Sequence, residues 1–274
     1  MNPRALAAWS AAGLVIALGS GNPVQRATVL AAALAVLLAT AKHRRPIRPL
    51  LGGLALFVLA SGLLNALLAH VGADVVAELP GWLPGLGGPI TVEAFAGGLA
   101  AGLGLAAAVL AVAPLSLSQE PHELVDALPS ALNRTGSALA ASFNLVPAVA
   151  RSFTAVREAQ LMRGWRPRGP GSWGELVVPV VLTAIEDSIQ LAESMEARAF
   201  GSGRRTHYAI STWSRLDALI IGGAAAAAAV FVAARLTGAA PDWDPYPVLH
   251  APVTSPIALI SCLPLVLPLA ARWR

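Results

Sequence analysis

Residues 92–117 read VEAFAGGLAAGLGLAAAVLAVAPLSL, and after Glu93 the run carries no further charge. A helix needs about 20 apolar residues to cross the hydrocarbon core of a bilayer, so this stretch sets the class of the chain. Five more apolar runs lie to either side of it: Ala5 to Leu18, Val24 to Ala41, Leu50 to Ala69, Ala218 to Leu236 and Ile257 to Ala271. The first and last are short and need flanking residues or tilted neighbours to complete a crossing. Composition agrees, with 56% hydrophobic residues, 12% charged residues and a mean hydropathy of +0.65, values foreign to an ordinary soluble domain. The expected fold is all-α: a polytopic membrane helical protein with about six spans.

Within the third and fourth runs, Gly52, Gly53, Ser61 and Gly62, then Gly97, Gly98, Gly102 and Gly104, are the small residues that let membrane helices approach closely. Each run is therefore expected to pack against another helix, in this chain or a partner. Gly19 to Pro23 reads as a tight outer turn and Lys42 to Pro49 as an inner one. The opening segment has the form of a signal peptide, yet the Gly19-Ser20-Gly21-Asn22-Pro23 turn suits a first span equally, and we read a helix. Val71 to Ile90, with Trp82, and Pro241 to Pro247, with Trp243 and Tyr246, read as outer loops at the membrane interface. The single Cys262 permits no disulfide within the chain.

A net charge of +4 and a pI near 10.2 could point to nucleic acid, but the placement of the charges argues against it. With the amino terminus inside, all but Arg26 and Arg235 of the 19 lysines and arginines fall on one side. The outer loops carry Asp74, Glu78, Glu93, Asp242 and Asp244 instead. This is the positive-inside pattern, so both termini and the polar insert 119–215 are expected in the cytoplasm and no nucleic-acid partner is expected. The chain divides accordingly into spans one to four (1–118), the insert (119–215) and spans five and six (216–274).

Charge is scarce at mid-membrane, where a secondary transporter or proton pump keeps its ionisable groups. Asn65 and His70 lie towards the outer end of the third run, and Asp217 reads as an interfacial ion. Enzymatic constellations are also incomplete: His43, His70, His122, His207 and His250 lack metal-ligand spacing, and there is no Walker A loop. No metal, cofactor or catalytic residue is expected. Gly201-Ser-Gly203 reads as a turn.

The insert contains two helical patterns with matching ends. In the first, Leu145, Val149, Phe153 and Val156 form an apolar stripe. Pro147 marks a start or kink, and the run ends at Arg163-Gly164, within Arg157-Glu-Ala-Gln-Leu-Met-Arg163-Gly164-Trp165. In the second, the stripe is Leu182, Ile185, Ile189, Ala192, Met195 and Ala199, and the end lies in Glu193-Ser-Met-Glu-Ala-Arg198-Ala199-Phe200-Gly201. An arginine in a last turn complements the helix dipole by about 0.3 to 1 kcal/mol, and glycine commonly follows. Two such ends, each with Glu and Ala in the last turns, point further, to a pair of docking tips whose planar guanidinium forks bind carboxylates or carbonyls.

In these residues the chain resembles the transmembrane T component of energy-coupling factor (ECF) transporters, the group that includes CbiQ-like subunits of cobalt and nickel importers. That family carries two Ala-Arg-Gly-like triplets at the ends of cytoplasmic coupling helices, matched here by Met162-Arg163-Gly164 and Ala197-Arg198-Ala199. Asn22-Pro23, Pro147 and Arg205-Thr206-x-Tyr208 match as well, so the resemblance spans most of the chain. Two departures stand out: Met162 replaces a small residue, and Ala199 replaces a glycine, which leaves Gly201 to supply a left-handed turn.

The resemblance implies a non-catalytic coupling subunit of an ATP-driven importer for vitamins or transition-metal ions. Arg163 and Arg198 would dock two ATP-binding cassette subunits or one fused pair. Leu145, Val149, Phe153, Val156, Ile185, Ile189 and Met195 would brace the coupling helices, and the partner in the bilayer would be a small substrate-binding S component. A membrane scaffold for another cytoplasmic partner is the alternative, and a stand-alone secondary transporter is a weaker one.

Overall fold

The computed structural model describes residues 2–40, 47–80, 87–119, 133–166, 169–199 and 213–273. Two compact units form, one of Met1–Glu120 with Ser211–Arg274 and one of Pro121–Ile210. In the first unit the helices are α1 (Pro3–Gly19), α2 (Pro23–Thr40), α3 (Ile47–Leu68), α4 (Val92–Ser118), α7 (Arg215–Leu236) and the short α8 (Pro256–Ile260). The second unit holds α5 (Asn133–Met162) and α6 (Gly174–Ala197), joined through a 3-10 turn at Pro170–Trp173. A two-stranded antiparallel hairpin, β1 (Val75–Glu78) with β2 (Pro89–Thr91), precedes α4. The protein is all-α apart from that hairpin. Among the described helices, α2, α3, α4 and α7 are long and apolar enough to cross a membrane.

The hub of the first unit is α4, against which α1, α2 and α3 all pack. Hydrocarbon tails are as apolar as leucine, so close packing and interhelical hydrogen bonds must hold these helices together. The α3 to α4 seam shows both. A Cβ on Gly98 would lie 2.5 Å from the Ser61 carbonyl oxygen, and one on Gly102 would lie 3.0 Å from the Val58 Cα. Over that contact the Ser61 hydroxyl donates to the Gly98 carbonyl at 2.9 Å, and the Asn65 amide donates to the Ala94 carbonyl at 2.7 Å. Gly52 and Gly53, in contrast, face nothing within 4 Å. The third and fourth runs thus pack on each other, as expected, with Ser61 and Gly62 of α3 at the seam and Gly52 and Gly53 away from it.

Further bonds close the bundle. The Trp9 indole, buried in α1, donates to the Leu265 carbonyl at 2.8 Å. Gln25 donates to the Ala258 carbonyl at 3.1 Å, and Arg26 reaches across Gly104 of α4 to the Ala100 carbonyl at 2.7 Å. Glycine at 104 leaves room for that guanidinium. Asn22 caps α2 through the Val24 N–H and donates to the Val253 carbonyl, which explains the Asn-Pro turn.

Asp217 is corrected from an interfacial ion to a buried one. It completes a capping box with Ser214 at the start of α7, and its other oxygen accepts the Asn2 N–H at 3.0 Å. At the opposite end of α7, Arg235 binds Asp242 through both terminal nitrogens, at 2.7 and 2.9 Å. That bidentate pair, aided by the Gly21 N–H, holds the Asp242 carboxyl below its ordinary range although partial burial opposes it.

The last apolar run departs from the expected single α-helix. After α8 it continues as a 3-10 helix over Leu263–Trp273, where the rings of Pro264 and Pro268 would clash with the carbonyl four residues back in an α-helix. A 3-10 helix rises about 2.0 Å per residue against 1.5 Å for an α-helix. Its 11 residues therefore cover roughly 22 Å and, with the five of α8, approach the ~30 Å core.

Candidate functional site

Helices α5 and α6 share one feature at their ends, a left-handed residue that follows an arginine and whose N–H bonds back three residues. In α5 the Gly164 N–H donates to the Leu161 carbonyl at 3.0 Å and the Trp165 N–H to the Gln160 carbonyl at 2.9 Å. With Gly164 at φ 84°, this is a Schellman motif whose C-cap residue is Arg163. In α6 the C-cap residue is Arg198, and the Ala199 N–H donates to the Glu196 carbonyl at 2.9 Å with Ala199 at φ 54°. Each arginine thus stands at the last carbonyls of its helix, and both are exposed.

Ala199 is itself left-handed, although its Cβ was expected to disfavour that turn; Gly201, expected to supply it, lies outside the described residues. The two carbonyls at the end of α6 need a donor, and the αL turn brings the Ala199 N–H onto one of them, outweighing the Cβ strain of about 1 kcal/mol. Replacing Ala199 with glycine relieves that strain, partly offset by the greater freedom of glycine in the unfolded chain. We expect slower amide exchange over the last turn of α6, equivalent to a stabilisation of about 0.5 kcal/mol. Faster exchange in the Ala199→Gly protein would contradict the assigned turn.

The apolar stripe of α5 is placed as its period implies: Leu145, Val149, Phe153 and Val156 are all partly buried. The helix packs on α6, and the Phe153 and Trp173 rings stack at 6.4 Å and 11°. Pro147 neither starts nor ends α5, which runs from Asn133. In α6 the buried side chains are Leu176 and Val180, and Met195 is partly buried. Leu182, Ile185 and Ile189, the expected bracing stripe, are about half exposed. Residues 176–182 are apolar around almost the whole helix, so the sequence pattern alone does not choose the face. Leu176 and Val180 were legible only as members of that undivided run. Arg205, Thr206 and Tyr208 lie outside the described residues.

Aligned on the two arginines, Glu158 matches Glu193, Met162 matches Ala197, and Gly164 matches Ala199. Among the described residues no group of three or more His, Cys, Asp or Glu side chains could hold a metal ion.

The first unit is a bundle of apolar helices, and the second is a pair of helices, packed on each other, that each end at an arginine. Residues 1–208 match the family model described as CbiQ, cobalt transport protein. The chain belongs to that family and is a membrane component of a transport system of the cobalt and ECF type. No curated protein matches it.

Proposed function

We propose that this chain is the coupling subunit of an ATP-driven importer, transmitting the motion of two ATP-binding cassette ATPase domains, separate or fused, to a small membrane-embedded S component. The observation that carries the reading is the pair of helix ends at Arg163 and Arg198, each followed by a left-handed residue and both exposed. A guanidinium at a helix C-cap projects beyond the helix with its five donors directed at whatever the tip meets, and suits a groove lined by carboxylates or carbonyls. Met162, Gly164, Ala197 and Ala199 shape the two tips. When the ATPase pair closes on ATP and reopens after hydrolysis, the tips move with their grooves. Helices α5 and α6, packed on each other, carry that motion towards the membrane partner. The imported compound is a vitamin or a transition-metal ion, and this chain makes and breaks no bonds.

Purification in mild detergent tests the reading: ATP-binding cassette subunits and a small membrane protein should accompany the chain, whereas a different lone cytoplasmic partner would favour the scaffold. The proposed topology puts the insert and both termini in the cytoplasm. A Ser172→Cys protein, with Cys262→Ser to remove the native thiol, should resist an impermeant thiol reagent in intact cells and react in inside-out vesicles. Labelling in intact cells would reverse the orientation.

A further inference from the structure

Between α7 and α8, residues 237–255 form no regular helix or strand, yet they are bonded to the α1–α2 turn, α3, α7 and the segment ahead of β1. The stretch lies beyond the residues that match the family model. Asp242 accepts both terminal nitrogens of Arg235 and the Gly21 N–H, which ties the end of α7 to the α1–α2 turn. Pro245 is buried, and a Cβ on Gly97 of α4 would lie 3.1 Å from its Cγ. Next to it the Tyr246 hydroxyl accepts the Asn65 amide of α3 at 3.2 Å, and the Pro247 carbonyl accepts the Ala73 N–H at 3.0 Å. Further along, the Val253 carbonyl accepts the Asn22 side-chain amide at 2.9 Å.

A segment without regular structure must have its carbonyls answered by other groups or by water. Here the His250 carbonyl accepts the Trp243 indole within the loop at 2.7 Å, and those of Pro247 and Val253 are answered from outside it. The loop is therefore shaped by what it crosses, and lifting it breaks bonds to several elements together. Its central anchor is of the strong kind, a bidentate guanidinium–carboxylate pair. The insert joins the bundle at the opposite end, after α4 and before α7. Among the described side chains at that end, Ser118 bonds to Thr40 and Asp217 to the Asn2 N–H, so that each tie links only two helices. A single segment thus crosses α2, α3, α4 and α7 at one end of the bundle, whereas the insert end is tied in separate pairs.

Building on the proposed coupling role, we propose that residues 237–255 are a permanent strap that makes the end of the bundle remote from the insert its fixed end. The helices then answer the insert by shifting at the insert end alone. The strap is a fulcrum, not a gate: it stays closed through the whole ATPase cycle.

The test is hydrogen exchange on the complex purified with its ATP-binding cassette subunits, with and without ATP, read in peptides from both ends of the bundle. ATP should alter exchange in peptides covering Asn2 and Asp217 and leave those covering Gly21 and residues 240–250 unchanged. In an Asp242→Ala variant, exchange at Gly21 should rise about tenfold, the scale of one hydrogen bond to a charged group, and the response to ATP should spread to the strap. Gly21→Cys with Asp242→Cys, in a Cys262→Ser background, gives the converse. A Cβ at position 21 lies 2.9 Å from that of Asp242, a small shift from the about 3.5–4.5 Å of a disulfide. Oxidising this pair should preserve the ATP response of the unmodified chain. Faster exchange of the strap in ATP in the unmodified chain, no response at Asn2 and Asp217, or loss of that response on oxidation would each overturn the proposal. A preparation lacking ATP-binding cassette subunits would instead overturn the coupling reading on which it rests.

Discussion

A protein carrying Arg163→Ala and Arg198→Ala should insert in the membrane normally and bring down no ATPase on purification. Each arginine is exposed, and its backbone N–H lies within the helix-end hydrogen-bonding pattern. Removing the side chain should therefore leave the fold nearly intact. As simple helix caps the pair would contribute about 0.3 to 1 kcal/mol each, and lysine would serve as well. As docking groups, each leaves a partner carboxylate unpaired when truncated, at about 2 kcal/mol or more. The tips belong to different helices and should act independently. The double variant then loses about 4 kcal/mol, close to a thousandfold in association. Single variants should each loosen one of the two ATPase positions, and Lys at either site should give a partial loss because it cannot reproduce the bidentate geometry. Wild-type copurification together with wild-type uptake in the double variant would reduce both arginines to caps.

The next largest effect concerns one methyl group in the membrane. Gly98→Ala puts a Cβ 2.5 Å from the Ser61 carbonyl oxygen and 2.6 Å from the Asn65 Cβ. The closer obstacle is backbone, so no rotamer change relieves it, and α3 must move away from α4. Overpacking of this kind costs about 1 to 3 kcal/mol. Here the displacement also stretches the Ser61 and Asn65 bonds to the Gly98 and Ala94 carbonyls, each worth about 0.6 kcal/mol in a membrane. We expect a loss of about 3 kcal/mol, read as lower thermal stability in detergent. Gly52→Ala meets no atom within 4 Å and should change stability by less than about 0.5 kcal/mol. Equal behaviour of the two variants would show that α3 does not pack on α4 through Gly98.

The four long apolar helices were legible because a bilayer imposes a length and a composition that hydropathy registers directly. Which glycines lie at a seam was not, since Gly53 and Gly98 carry the same local pattern, Gly-Leu-Ala, and differ only in what another helix brings near. The two tips were legible as arginines at helix ends. That a left-handed residue follows each was obscured by Ala199, whose β-carbon argues against the turn that hydrogen bonding nevertheless selects. Of the two readings of Pro147, a start or a kink, the start is excluded, because α5 continues on both sides of it. Leu176 and Val180, the buried residues of α6, could not be singled out because valine and leucine occupy nearly all sides of its first two turns, so period carries no information there. Asp217 looked like a boundary charge because its partner, the Asn2 N–H, is 215 residues away in sequence.

That distance also orders the birth of the protein. As the chain emerges, α1 is made long before the groups that complete it: Asn2 waits for Asp217, and the Trp9 indole waits for the Leu265 carbonyl, 256 residues later. Until then a backbone N–H and an indole N–H of the earliest helix have no final acceptor, although α4 already offers it an apolar surface. Pairings of such long sequence separation form late, so the nascent bundle is a chain of helices around α4 whose first member is fastened only when the last ones arrive. A ribosome stalled after the coupling helices would hold a protein with its spans α2 to α4 assembled and its amino-terminal helix still unsealed.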